Sequence, residues 1–306
     1  MFEGTGVQRE DIRKFTGKDR QVRFPLGGIG TGNVSLGSRG QLCDWELFNR
    51  PGKGNKLPYS FFALHTGSPS GETHTRVLES ELQPPYDGWS GCPPTSVAGL
   101  PRFEETVLTG TYPIARVEFV DDELPIDVGL KAYTPFVPLE PEDSGIPTAV
   151  FEYVVHNPHD EPITASIVGS LSNPSGFTGH HDIDLNLESP GLGGNVNEPF
   201  RTDEAEGVVF GTEARDRRTR RYGEVALAVP ETETRFHKAT WNPKYPWGGL
   251  QEFWDEFSAN GRLSPRDEGP SPDDRTHAGS LGIEATIDPG STRTFPFVLS
   301  WFFPNR

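Results

Sequence analysis

The chain has 306 residues and a formal net charge of −16, which disfavours a nucleic-acid partner, because phosphate contacts need basic patches. Glycine and proline supply about a fifth of it, below the ~25–30% that marks disorder, and no apolar run nears the ~20 residues of a membrane span. Cys43 and Cys92 are too few for a disulfide scaffold or a metal knuckle, and the charged N-terminus lacks the apolar stretch of a signal peptide. The expectation is a cytoplasmic protein with reduced thiols and no cofactor.

In chain order, residues 1–20 read as a polar arm with one helical turn near residues 9–15. A glycine-dense segment follows from Phe24 to Lys56. Its spacing approaches two phosphate-binding motifs and meets neither. Gly27 and Gly32 have the P-loop interval, but Asn33 stands where the lysine belongs. Gly28-Ile29-Gly30 opens a dinucleotide fingerprint, but Asn33 replaces its third glycine and no helix follows. The segment therefore reads as tight β-turns, ending in a half-buried strand over Leu42 to Phe48.

Residues 59–66 read as a buried strand, and residues 67–101 as loop-rich. Two hairpins are expected next. The first pairs residues 114–120 with a strand carrying Ile126, Val128, Leu130 and Ala132 on one face. The second pairs residues 149–156 with 163–171 across the Asn157–Pro162 turn. Further strands fall at 207–211, 224–229, 234–240, 282–287 and 294–301, the last demoted toward an edge or a bulge by Pro296. One segment has a different period. Leu250, Phe253, Trp254 and Phe257 lie at i, i+3, i+4 and i+7, with Gly261 placed to cap a short helix. With no fixed-period repeat and no long linker, the chain is expected to be all-β: a large two-sheet antiparallel β-sandwich over residues 21–306 with one short inserted helix.

Few residues carry chemistry. Asp44 and Glu46, two apart on a strand, project from one face, as acid/base or cation-binding groups would. The plainer reading is a charged face or an ion pair with Arg39 or Arg50, beside a Trp45 of structural importance. The run from His180 to Asn186 starts like a calcium loop, but Leu187 and Gly193 stand where its glycine and final glutamate belong, so a polar loop with no metal is expected. The basic run 215–221 reads as a solvated loop. Trp241, Tyr245, Trp247 and Trp254 offer rings that could stack on sugars or pack into a core. No nucleophile elbow, zinc motif or catalytic triad is present.

Five stretches together resemble the N-terminal domain of glycoside hydrolase family 116, the family of non-lysosomal glucosylceramidase and microbial β-glucosidases. They are Pro25 to Gly30 with Asp44 to Pro51; Tyr133 to Asn157; Asn197-Glu198-Pro199-Phe200; Trp254 to Leu263; and Leu299 to Asn305. The resemblance implies a β-sandwich followed, in the family, by a helical (α/α)6 barrel. That barrel carries a retaining mechanism with a glutamate nucleophile and an aspartate acid/base. No position here matches either catalytic motif, so the resemblance implies a non-catalytic half, from a truncated gene or a split protein. Its expected partner is an (α/α)6 barrel in cis or from an adjacent gene, and through that barrel a β-glucoside or a glucosylceramide-like substrate. The binding or interface candidates are Asp44, Trp45, Glu46, Arg50, Trp241 and Trp247. A free-standing carbohydrate-binding or partner-docking sandwich is the alternative.

Overall fold

The computed structural model describes residues 12–84, 97, 99–177, 181–214, 216–231, 234–245 and 247–305. Its first strands are β1 (Lys14–Thr16), β2 (Arg23–Leu26), β3 (Asn33–Gly37), β4 (Leu42–Glu46), β5 (Phe61–Gly67), β6 (Thr73–Ser80) and β7 (Arg102–Phe103). Next come β8 (Glu105–Thr111), β9 (Ile114–Val120), β10 (Asp127–Tyr133), a helical turn α1 (Pro141–Ser144), β11 (Thr148–His156) and β12 (Ile163–Ser172). The chain continues with β13 (Asn195–Arg201), β14 (Ala205–Thr212), β15 (Glu224–Pro230), β16 (Arg235–Lys238), helix α2 (Leu250–Asn260), β17 (Ala278–Ile287) and β18 (Thr292–Phe302).

Two large sheets stack as the expected all-β sandwich. One has nine strands in the order β1-β8-β9-β10-β11-β18-β15-β14-β13; the other has six, β16-β17-β12-β5-β6-β7. A small third sheet, β2-β3-β4, is formed by the glycine-dense segment. Pairing is antiparallel apart from the short β6–β7 contact. Strands β9, β11 and β18 of the nine-stranded sheet alternate with a period of two. Ala115, Val117 and Phe119 on β9, Phe151 and Tyr153 on β11, and Phe295, Phe297 and Leu299 on β18 all point inward. Phe62 on β5 meets them from the opposite sheet, with ring centroids 5.4 Å from Phe151, 5.1 Å from Tyr153 and 5.2 Å from Phe297. Truncating such a residue to alanine costs ~3–5 kcal/mol.

Strand β5 of the six-stranded sheet is buried on both faces, and its residues 61–64 form a continuous apolar run. Helix α2 covers its outer side. Phe253 lies 5.9 Å from Phe61 and stacks on Trp241 at 4.4 Å, while Phe257 faces His65 and Phe236. Gly261 ends the helix at φ 65°, in the position its spacing predicted.

Four local expectations are corrected. The second hairpin is a crossover: β11 joins β10 and β18 in one sheet, while β12 joins β17 and β5 in the other. Asn157 fixes the crossing. Fully buried, it donates to the Glu161 carbonyl at 2.8 Å and the Ile287 carbonyl at 3.0 Å. The stretch 67–101, expected to be loop-rich, contains β6, whose polar-rich sequence THTRVLES is buried over its last four residues. Lys14 and Phe15, expected to end a helical turn, lie in β1 and pair with β8 instead, whereas residues 1–11 of the expected arm lie outside the described residues. Finally, β18 is central. Pro296 is tolerated because the pairing of β15 with β18 has already ended at Ala228–Val298, leaving β11 as the one flanking strand.

Candidate functional site

The glycine loop between β2 and β3 sits on one end of the sandwich and is held by three separate elements. The Gly27 N–H donates to Thr134 Oγ1 at 2.5 Å, and the Ile29 N–H to the Ser144 carbonyl at 2.8 Å. Trp301 at the end of β18 donates its indole N–H to the Thr31 carbonyl at 2.7 Å. Two glycines are required here. Gly32 has φ 86°, and a side chain would strike the Glu46 carbonyl; at Gly28 it would strike the backbone of Gly145 and Ile146.

This clamp presents an apolar face. Ile29, Tyr112, Phe136, Val137, Leu139 and Ile146 are all exposed, and all belong to loops at this end of the nine-stranded sheet. Tyr112 and Phe136 meet edge to face at 5.2 Å. Ser144 locks the loop from inside, accepting from the Val137 N–H at 3.0 Å and donating to the Val137 carbonyl at 2.9 Å. Leu139 is 98% exposed and sits at φ 71°. A leucine in the left-handed region costs roughly 1–2 kcal/mol, and here it buries nothing in return. Clustered apolar exposure of this kind is a feature of interaction surfaces and ligand grooves.

Beside this face lies a polar corner. The strand expected from Leu42 on has a β-bulge: Asn33 pairs with Glu46 but Ser35 with Cys43, so β4 carries an extra residue. Asp44 occupies it at φ 50°, and Cys43, Asp44 and Trp45 are consequently all buried. Asp44 Oδ1 accepts from the Gly54 N–H at 2.8 Å. Lys53 Nζ lies 2.7 Å from Glu46 Oε2 and 3.7 Å from Asp44 Oδ2, joining the two carboxylates. The counter-ions are thus Lys53 and, at 3.8 Å, Arg23; Arg39 instead pairs with Glu79. Burial alone would raise the Glu46 carboxyl, but the hydrogen bonds from Lys53 and the Gly52 N–H hold it below the usual carboxylate range. Burial pushes the Cys43 thiol up to about 12. Lys53 ties the two carboxylates together, and the backbone N–H groups of Gly52 and Gly54 close the corner onto them.

The other candidates are scattered. Arg50 is half-buried just past the corner. Trp241 is buried and donates to Ser280 Oγ at 2.7 Å, so its ring is core. Trp247 is exposed on the flank covered by α2. In the segment that starts like a calcium loop, Asp184 Oδ1 accepts from the backbone of Asn186 and Glu188; His180 lies outside the described residues, as do Cys92 and Arg215. Among the described residues no three His, Cys, Asp or Glu side chains converge on a metal position, and no helix is long and apolar enough to cross a membrane. The apolar face escaped the sequence reading. Its signal was the placement of Ile29, Phe136, Val137, Leu139 and Ile146 in glycine- and proline-rich loops, where polar residues are usual.

Comparison with known proteins identifies the architecture. The chain belongs to the family described as beta-glucosidase 2, glycosyl-hydrolase family 116 N-term, whose model matches residues 23–306. Among solved structures it is similar to a polysaccharide lyase, at 12% identity and a TM-score of 0.35, over 90% of this chain and 31% of that one. It is also similar to a candidate kojibiose phosphorylase from the human microbiome, at 7% identity and a TM-score of 0.38, over 91% and 30%. The chain therefore spans about a third of the length of these two proteins. A third similarity is to a candidate aldose 1-epimerase from Klebsiella pneumoniae, at 9% identity and a TM-score of 0.33, over 95% and 87%.

Proposed function

We propose that this chain is the non-catalytic N-terminal module of a family 116 β-glucosidase or glucosylceramidase-like hydrolase. It supports a helical (α/α)6 catalytic barrel, supplied in cis or by an adjacent gene, and borders the cleft in which that barrel binds a β-glucoside or a glucosylceramide-like substrate. The module works in the cytoplasm and needs no cofactor.

The observation that carries this reading is the apolar face of Ile29, Tyr112, Phe136, Val137, Leu139 and Ile146, pre-formed by the Trp301 and Ser144 clamps. A rigid apolar face loses little entropy when covered, which suits a permanent interface. A retaining glycosidase also needs two carboxyls about 5–5.5 Å apart, one of them protonated. Asp44 and Glu46, the sequence's best pair, are tied to Lys53.

The test is an aryl β-glucoside assay of this chain alone and mixed with a family barrel. The chain alone is inactive, and the mixture is active or more stable than the barrel alone. Leu139→Asp and Ile29→Asp leave the sandwich folded and weaken association at least tenfold. Turnover by the pure chain, abolished by one carboxylate substitution within it, overturns the reading. So does barrel association that neither charge substitution changes.

A further inference from the structure

A second site lies on the opposite flank of the sandwich. β16 is the edge strand of the six-stranded sheet, and it stands on the side of β17, which contacts β14 and β15, away from the β8–β10 ends that carry the apolar face. Between β16, helix α2 and residues 264–266 is a cleft of about 530 Å³. Its lining includes Lys238, Tyr245, Glu252, Asp255, Glu256 and Arg266. The volume falls within the ~300–1,000 Å³ of small-molecule sites.

The two cations in this cleft are already matched. Lys238, with only 4% of its side chain exposed, lies 2.6 Å from Glu256 Oε2. The other oxygen of Glu256 accepts from the Ser264 N–H at 2.5 Å. Arg266 meets Glu252 Oε1 at 3.3 Å and Glu268 Oε1 at 3.2 Å. An anionic ligand would have to displace a carboxylate from its cation, and that exchange gains little. What remains available is hydrogen bonding, beside the Asp255 carboxylate at the rim. Glu252 Oε2 is buried and has no donor among the described residues, a vacancy that ordinarily costs ~1–3 kcal/mol. Arg266 has five N–H donors, more than its two carboxylate partners use. Asp255 and Gln251 are exposed at the rim, and Tyr245 holds a half-exposed ring over it.

Acceptors, donors and one aromatic face around a charge-compensated floor match a ring that carries hydroxyls on its edge and C–H groups on its face. We infer that this cleft binds a neutral pyranoside unit, with the Tyr245 ring against its apolar face and Glu252 and Arg266 on its hydroxyls. Neither the barrel nor the apolar face takes part, so the site operates in the chain by itself.

The experiment titrates this chain with methyl β-glucoside, cellobiose and maltose, read by calorimetry and by saturation-transfer NMR. The same titration is run with glucose 6-phosphate as an anionic probe and putrescine as a cationic one. The expected result is saturable millimolar binding of at least one neutral sugar, with saturation transfer strongest at ring C–H protons. Tyr245→Ala and Glu252→Gln each weaken it about tenfold or more without lowering Tm, while Tyr245→Phe, which keeps the ring, retains it. No saturable binding of any neutral sugar overturns the inference. So does tighter binding of either charged probe, or sugar binding that Tyr245→Ala and Glu252→Gln leave unchanged.

Discussion

Trp301 and Thr31 are joined by a 2.7 Å hydrogen bond that spans 270 residues of sequence. The indole closes over the glycine loop from the end of β18, and the backbone N–H of Trp301 donates in the same place to the Pro147 carbonyl at 3.1 Å. One residue thereby fixes both loops that carry the apolar face. Trp301→Phe keeps a ring in the core but leaves the Thr31 carbonyl without its donor. The expected cost is about 1–3 kcal/mol in denaturant unfolding, together with weaker barrel association. A loss below about 0.5 kcal/mol, within the range of ordinary surface changes, would remove the clamp from the account.

Trp45 is fully buried, and its indole N–H has no partner among the described residues. Size and polarity therefore pull in opposite directions. Trp45→Ala opens a cavity and costs ~3–5 kcal/mol. Trp45→Phe gives up volume but also removes an unsatisfied buried donor, so its cost falls to less than half that of alanine. Urea unfolding of both variants checks the order. Equal losses would show that the N–H is satisfied after all.

Much of this architecture is legible in the sequence where a local period decides it. The alternation in residues 114–132 and the i, i+3, i+4, i+7 stripe from Leu250 to Phe257 each name one buried face, and β9, β10 and α2 follow. The crossover at Asn157 was not legible, because an apolar strand, a six-residue turn and another apolar strand look alike whether they pair or part. The choice is made by β17 and β18, more than a hundred residues away. At the corner, the Asp44–Glu46 spacing was readable. The bulge that buries Asp44, and the return of Lys53 to neutralise it, depend on the partner strand and a loop.

Asp44 combines a left-handed backbone with a buried carboxylate. Asparagine shares the backbone tolerance and alanine does not. Asp44→Asn keeps the acceptor for the Gly54 N–H and loses only the charge, whose lysine partner is largely exposed, so its cost stays near 1 kcal/mol. Asp44→Ala loses the acceptor and strains the backbone as well, for about 2–4 kcal/mol. Thermal unfolding ranks them. Asparagine as costly as alanine would mean that the charge, rather than the bulge geometry, holds the corner.

The titrating groups set a pH window for stability. Burial holds His65 and His277 below the ordinary 6.5, so between that value and their folded values the unfolded chain binds more protons. Stability therefore declines as pH falls below about 6.5. Glu206, paired with Arg235, and Glu284, paired with Arg262, titrate below the ordinary 4.5, as do Glu46 and Glu256, where bonds to Lys53 and Lys238 outweigh burial. Their contributions are intact above 4.5 and are lost as pH falls through their folded values, which steepens the acid limb. On the alkaline side the sign reverses. Burial raises Cys43 from 9.0 to about 12, so above pH 9.0 the unfolded chain releases a proton that the folded chain keeps. Tyr133, raised from 10.0 to about 12 by burial and by Glu152, adds to the same loss. The expected profile is a plateau of Tm between about pH 6.5 and 9, with falls on both sides. Glu284→Gln should flatten the acid limb below about 4.5, and Cys43→Ala should delay the alkaline fall toward 10. Tm rising on acidification from pH 6 to 5, or an alkaline limb unaltered in Cys43→Ala, would contradict these assignments.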